Sequence, residues 1–397
     1  MKKNMIPFWM LGALLSSCGA LPSSSSPANS SEREKKIVLN EITQPFDMHS
    51  EVQRAYLDNG IPEEMDFAIA DGKHENSKPL PLTLSWQAEA SKAKYRVYVS
   101  EDESFRHAKE YQTTSPSLEI TNLKLASTYY WKVVSEDEES EVSSFRTIEE
   151  GPRNLDIEGV SNVRDIGGWG IGENKRIKQG LLYRGARLND SYPEGWVKGG
   201  DDTGYEFTPE ITSKGKQTFR NDLGIKTEID LRVSERNGYP GIPPEEETFS
   251  AVEGVNYIAI PTAGSANINQ CKPEIKKVFE LFAEPDNYPM YFHCNIGTDR
   301  TGMIAYLLNA YLGVNEVDLY FDYLFSNFGL IALPNAYSSD PTHKTLSDLT
   351  KPTGAAGVVA SFAGDTLSEK AENCLLGCEI SEETLNAIRS ILLDDAS

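Results

Sequence analysis

The chain has 397 residues, enough for two or three domains with a sizeable core. Its formal charge is −22, which excludes nucleic acid as a partner and a broad electrostatic grip on anionic membrane. A phosphate-bearing ligand would therefore need a site that gathers its own cations.

At the amino terminus Lys2 and Lys3 precede an apolar run from Ile6 to Leu15, too short to span a bilayer and suited to a signal peptide over residues 1–17. Leu15-Ser16-Ser17-Cys18 resembles a bacterial lipobox, which implies cleavage before Cys18, lipid on its sulfur and an extracytoplasmic, membrane-anchored lipoprotein. Ser17 stands where Gly or Ala is usual. The competing reading is an ordinary secretory signal with a chance cysteine. Losing Lys2 and Lys3 takes the charge from −22 to −24. Residues 18–75 are assigned to a tether and a short segment. Ser23 to Ser31 is serine-rich, as in flexible tethers, and Glu51 to Leu57 fits a short helix ending near Asn59-Gly60.

Residues 76–150 have the period of strands. Leu82 to Trp86, Tyr95 to Val99 and Tyr129 to Val133 alternate, separated by turn-type clusters. Trp86 occupies a sandwich-core position, and Leu123 followed by Tyr129 resembles a tyrosine corner. The stretch resembles a small all-β sandwich of the fibronectin type III kind. A spacer that packs on the next domain is the plainer role, and binding a surface partner the sharper one.

Residues 151–397 alternate helical patterns with short apolar strands, which predicts an α/β domain with a mainly parallel sheet flanked by helices. Ile157 to Leu188 supplies the first strands. Asp190 to Thr208, rich in Gly, Asp and aromatics, reads as an inserted loop. Pro209 to Leu223 fits a helix, Thr227 to Leu231 a buried strand, Val255 to Ile260 another, and Pro273 to Phe282 a helix. Asn327 to Glu369 is weakly periodic and leaves a lid and a helical insertion both open. Ser381 to Leu393 reads as a terminal amphipathic helix capped by Ser381.

The stretch that commits to a chemistry is Tyr291-Phe-His-Cys-Asn-Ile-Gly-Thr-Asp-Arg-Thr-Gly302. An apolar strand leads into a tight loop and then a helix. That layout gathers backbone N–H groups and a helix N-terminus around one phosphate-sized point. Cys294 sits in the loop, where such amides stabilise a thiolate. Arg300 can grip two phosphate oxygens through its planar fork. Gly297 lets the loop turn tightly and approach a ligand, and Thr301 opens the helix within reach of the sulfur. His293, Asn295, Ile296, Gly297 and Thr298 are the phosphate-binding candidates, with His293 also placed to orient the loop. The bland reading, a buried structural cysteine, does not account for so many matching neighbours.

His293-Cys294-x-x-Gly297-x-Asp299-Arg300-Thr301-Gly302 resembles the signature of cysteine-dependent tyrosine and lipid phosphatases, and more narrowly the bacterial tyrosine-phosphatase-like group. Asn162 to Gly168, Gly180 to Leu188, Gly224 to Arg232 and Asp322 to Ser326 agree with that group, so the resemblance covers about residues 155 to 395. It implies a phosphocysteine intermediate on Cys294, with Asp299 as general acid and Asp230 and Asp165 as reserves. Arg164, Arg187 and Arg232 become candidates for extra substrate cations, against a reading of each as a structural ion pair. The family usually has Lys where this chain has Thr298, which removes one cation from the loop. The expected substrate is a phosphorylated protein, phosphotyrosine first, or a small phosphate monoester, without cofactor or metal. Phosphoinositides are the second expectation, and a surface-binding lipoprotein with a vestigial phosphatase domain the third. Cys271, Cys374 and Cys378 fit no zinc pattern, and a disulfide among them and plain buried thiols both stay open.

Overall fold

A computed structural model describes residues 37–88, 94–136, 138–172, 175–189, 210–232, 249–263, 266–331 and 343–393. The expected leader, Cys18, the serine-rich tether and the 190–208 insertion lie outside the described residues.

After β1 (Val38–Leu39) comes α1 (Glu51–Asn59). Ser50 and Gln53 form a reciprocal capping box at its start, and Gly60 at φ +69° ends it in the left-handed region. Six strands follow: β2 (Leu82–Gln87), β3 (Tyr95–Ser100), β4 (Lys109–Thr113), β5 (Ser117–Ile120), β6 (Thr128–Val134) and β7 (Ser143–Arg146). They pair antiparallel in the orders β1-β2-β5 and β4-β3-β6-β7. Alternate residues of β2 (Leu82, Leu84, Trp86) and β6 (Tyr129, Trp131, Val133) are buried in one shared apolar cluster.

This unit is fastened to the rest of the chain by polar contacts. The Gln179 amide exchanges two hydrogen bonds with the Leu125 backbone, at 2.8 and 3.0 Å. Arg153 donates to the carbonyls of Leu123 and Asn122.

The second region contains β8 (Arg164–Asp165), β9 (Leu182–Gly185), α2 (Ser213–Gln217), β10 (Thr227–Asp230), β11 (Asn256–Ala259), α3 (Lys272–Phe282), β12 (Met290–His293), α4 (Asp299–Leu312), α5 (Glu316–Leu324), α6 (Leu346–Thr350), α7 (Ala355–Ala360), α8 (Leu367–Leu376) and α9 (Glu382–Leu392). Its sheet has the order β11-β10-β12-β9-β8, with β8 paired antiparallel and the other neighbours parallel. β12 lies in the middle, and all its residues are buried. Fully burying each of Met290, Tyr291 and Phe292 is worth roughly 1.5–3 kcal/mol, more than any loop preference nearby, so this strand fixes the ground on which the next loop stands. In register, His293 lies opposite Asp230 on one side and Gly185 on the other, so three strands end level.

The helix expected over Pro209 to Leu223 is shorter. Thr212 caps it through the Gly215 amide, and a wider π turn over Thr218–Asp222 replaces its second half. The stretch Asn327 to Glu369 contains α6, α7 and the start of α8, while 332–342 lie outside the described residues. Cys271, Cys374 and Cys378 are buried free thiols.

Candidate active site

The loop between β12 and α4 opens at the carboxyl ends of the parallel strands, where open α/β sheets place their ligands. Gly297 shows why the loop has this shape. Its φ is +74°, and a Cβ there would lie 2.5 Å from the Gly185 carbonyl, so only glycine fits.

Beneath the loop lies a buried polar layer. Arg184 Nη2 donates to Gly297 O at 2.8 Å, and its Nη1 binds Asp322 Oδ2 at 2.6 Å. Arg164 binds the other oxygen of Asp322 through Nε at 3.1 Å and also donates to Asn162 Oδ1. Asn162, itself at φ +59°, passes the contact on, donating from Nδ2 to Ile296 O at 2.9 Å. Two loop carbonyls are thus tied outward to side chains. Each protein-held carbonyl leaves the neighbouring amides available to a ligand.

His293 is buried and braces the loop from the strand side. Its Nδ1 meets Cys294 O at 2.9 Å and its Nε2 meets Glu228 Oε1 at 2.9 Å. A carbonyl and a carboxylate only accept, so both ring nitrogens donate and the ring is an imidazolium. Burial pushes the His293 pKa down, but the Asp230 and Glu228 carboxylates outweigh it and leave it raised. The expectation that His293 binds phosphate is corrected here: both nitrogens are spent within the protein. Thr298 keeps only its amide for that role, for its side chain is buried, with its hydroxyl 3.4 Å from both Ile296 O and Asn162 Nδ2.

Cys294 is 1% exposed. Burial pushes its thiol pKa up, yet the Arg300 charge and, after it, the Thr301 hydroxyl and amide beside the sulfur bring it below the ordinary thiol value. Arg300 is anchored by Nη1 donating to Leu231 O at 3.0 Å. Asn295 is buried beside Arg187, whose backbone N–H donates to Asn295 O at 3.1 Å and whose Nη1 reaches Asn295 Oδ1 at 3.1 Å. Arg187 thus supports the loop. Asp299 begins α4 and accepts from Lys344 Nζ at 2.7 Å.

The remaining candidates lie in structural pairs. Arg164 is fully buried against Asp322. Arg232 is buried and clamps Asp230, with contacts between 2.6 and 3.0 Å. Asp165 accepts from Arg153, Gly167 N and Gly180 N, so its oxygens are occupied. Burial pushes Asp230 up, but His293 and Arg232 pull it to about 2, which keeps it ionised at neutral pH and unable to donate a proton. Asp165 and Asp230 are therefore set aside as reserve acids.

Glu228, Asp230 and His293 bring three metal-type atoms within 4.8 Å of one another. Cations already fill that cluster, the His293 ring and the Arg232 guanidinium. Sequence reasoning missed Arg184, Asp322, Glu228 and Lys344 as parts of the site. The first three lay inside motifs already singled out, whereas Lys344 carried no signal.

A glycine-turned Cys-x5-Arg loop on the carboxyl edge of an α/β sheet is the site of a cysteine phosphatase domain. The sequence pattern of the tyrosine phosphatase family matches residues 155–198 and 207–394, more than half of the chain, and the chain belongs to that family. It is 26% identical over 204 residues to a Cupriavidus necator protein assigned as a tyrosine-protein phosphatase, covering 45% of this chain and 64% of that protein. It is 27% identical over 120 residues to the tyrosine-protein phosphatase of Nostoc commune, covering 26% of this chain and 41% of that one. The chain thus spans less than two thirds of the length of either relative. Among solved structures it is similar to the core catalytic domain of the PP-IP phosphatase SIW14 from S. cerevisiae, with 18% identity, 38% of this chain, 75% of that chain and a TM-score of 0.26. The likeness to P. aeruginosa TpbA is comparable, with 19% identity, 38% and 71% coverage and a TM-score of 0.25.

Proposed function

We propose that this protein hydrolyses phosphate monoesters through a phosphocysteine, with protein phosphotyrosine as the foremost substrate. Cys294 Sγ attacks phosphorus in line, the S–P bond forms and the P–O bond to the leaving group breaks. Arg300 and the loop amides from Asn295 onward hold the equatorial oxygens. Asp299 gives its proton to the leaving oxygen, then takes one from the water that cleaves the S–P bond and releases phosphate. The Thr301 hydroxyl stabilises the departing thiolate.

The observation that carries this reading is the state of Cys294. A thiol this deeply buried would ordinarily be harder to ionise, yet here Arg300 and Thr301 make it easier. Family membership and the names of both relatives support phosphotyrosine as the substrate class. The test is a phosphate-release panel over phosphotyrosyl, phosphoseryl and inositol phosphate substrates. Release greatest from phosphotyrosine supports the reading. Release confined to inositol phosphates replaces the substrate, and release by Cys294→Ser overturns the mechanism.

Two further readings belong to the same proposal. Residues 76–150 form a fibronectin type III-like module. The Lys124 amide donating to the Tyr129 hydroxyl at 2.8 Å supports it, since that is the bond of a tyrosine corner. Cys18 carries the lipid that anchors the mature chain outside the cytoplasm.

A further inference from the structure

The loop lacks the lysine that its family signature usually carries, and Thr298, which takes the place, turns its side chain into the protein. A cation nevertheless stands at the site, delivered from a distant part of the chain. Lys344 Nζ lies 2.7 Å from Asp299 Oδ1. A general acid must come within about 3 Å of the leaving oxygen, so an ammonium in contact with either oxygen of its carboxylate stands within about 8 Å of the reacting bond.

The placement is built. The buried side chain of Asn327 clamps both backbone groups of Lys344, accepting from its N–H at 2.8 Å and donating to its carbonyl at 2.9 Å. The preceding residue, His343, stacks on Phe67 at 4.8 Å with the rings nearly parallel, and its Nε2 meets Asp71 O at 3.0 Å. Segments far apart in sequence converge to hold this one residue. Beside the ion pair opens a cavity of about 100 Å³ whose lining includes Tyr323, Asp348, Lys351 and Ala266.

We propose that Lys344 is a positioning and specificity-determining residue that exchanges partners: it pairs with Asp299 in the empty site and turns to the incoming phosphate dianion when substrate binds. The inference rests on the phosphatase reading above. Its chemistry follows from charge. A carboxylate oxygen held by an ammonium is occupied and turned from the leaving group. A dianion entering beside it competes for the same ammonium and releases the carboxylate to the reacting bond. The groups facing Asp299 are Lys344, Arg300 and Cys294 of the loop, and Tyr323, Asp348 and Lys351 around the cavity. Among them only Lys344 makes a direct ion pair with it among the described residues.

The test compares Lys344→Met and Lys344→Arg with the wild type on a phosphotyrosyl peptide. With Met, KM rises about tenfold while kcat falls less. Arg retains most of the affinity. Asp299→Asn, which frees the ammonium before substrate arrives, lowers KM, and adding Lys344→Met cancels that gain. An active wild type whose Met variant changes only in melting temperature overturns the inference while leaving the phosphatase reading intact. An Asp299→Asn variant whose KM does not fall overturns the exchange of partners. A wild type with no turnover removes the phosphatase reading and this one with it.

Discussion

Arg184 Nη2 donates to Gly297 O at 2.8 Å, so the curl of the catalytic loop hangs from a guanidinium that no solvent reaches. Asp322 is the counter-ion for both Arg184 and Arg164. Burial and the Arg184 charge push Arg164 down to about 10, which shows how much two buried cations depend on this one carboxylate. Asp322→Asn leaves them without it. Removing one member of a buried ion pair costs roughly 3–5 kcal/mol. We expect the urea midpoint of Asp322→Asn to drop accordingly, with weaker vanadate binding in the fraction that still folds.

Glu228→Gln tests the brace behind the loop. His293 is held charged by Glu228 and Asp230, its folded pKa above the unfolded one. Its stabilisation is therefore fully present below about pH 6.5 and is lost as pH rises through the raised folded value. Replacing Glu228 with Gln is expected to flatten that slope in a series of melting curves. Because the imidazolium lies behind Cys294 O, the same change is expected to raise the thiol pKa and move the acid limb of kcat/KM to higher pH.

Thr301→Val removes the hydroxyl that helps lower the Cys294 pKa. The midpoint of the pH profile for iodoacetamide alkylation should lie below that of an ordinary thiol in the wild type and move up in the variant. A shift of one unit corresponds to about tenfold less thiolate at low pH. The variant is also expected to hydrolyse its phosphocysteine more slowly, visible as a larger burst of leaving group.

Gly297→Ala places a methyl group against the Gly185 carbonyl and forces an L-residue to φ +74°. The left-handed conformation alone costs roughly 1–2 kcal/mol, and the clash must move one of two clamped strands. A displacement of about 1 Å can cost on the order of a hundredfold in rate. We expect at least that loss in kcat/KM, with far-UV circular dichroism retained.

Asp299→Asn separates the acid from the rest of the machinery. A substrate that leaves as p-nitrophenolate needs little protonation, whereas a tyrosine does. The rate on a phosphotyrosyl peptide should fall about 10²–10⁴-fold, and that on p-nitrophenyl phosphate much less. Equal losses would give the donor role to another group.

Much of the site was legible because its signals are local. Strand, glycine turn and helix follow one another between Met290 and Leu312, and the residues that touch a ligand lie in one short stretch. The supporting layer was not legible. Arg164, Arg184 and Arg187 lie close together in sequence or in register, and nothing in a strand buried on both faces tells which side chain turns toward the loop. The partners that settle it, Asp322 for Arg164 and Asn295 for Arg187, are separated from them by more than a hundred residues. Asp165 was read as a reserve acid because its pairing with Arg153 cannot be seen from sequence spacing. Lys344 is the extreme case, for its place depends on Asn327, Phe67 and Asp71 folding around it.

Rapid chemical quench during turnover of a phosphotyrosyl peptide, followed by mass analysis of the digest, tests the central claim most directly. A phosphocysteine mechanism predicts the mass of one phosphoryl group on the peptide carrying Cys294, accumulating in Thr301→Val and missing in Cys294→Ser. Steady turnover with Cys294 never modified, or with the phosphoryl group on another side chain, would contradict it.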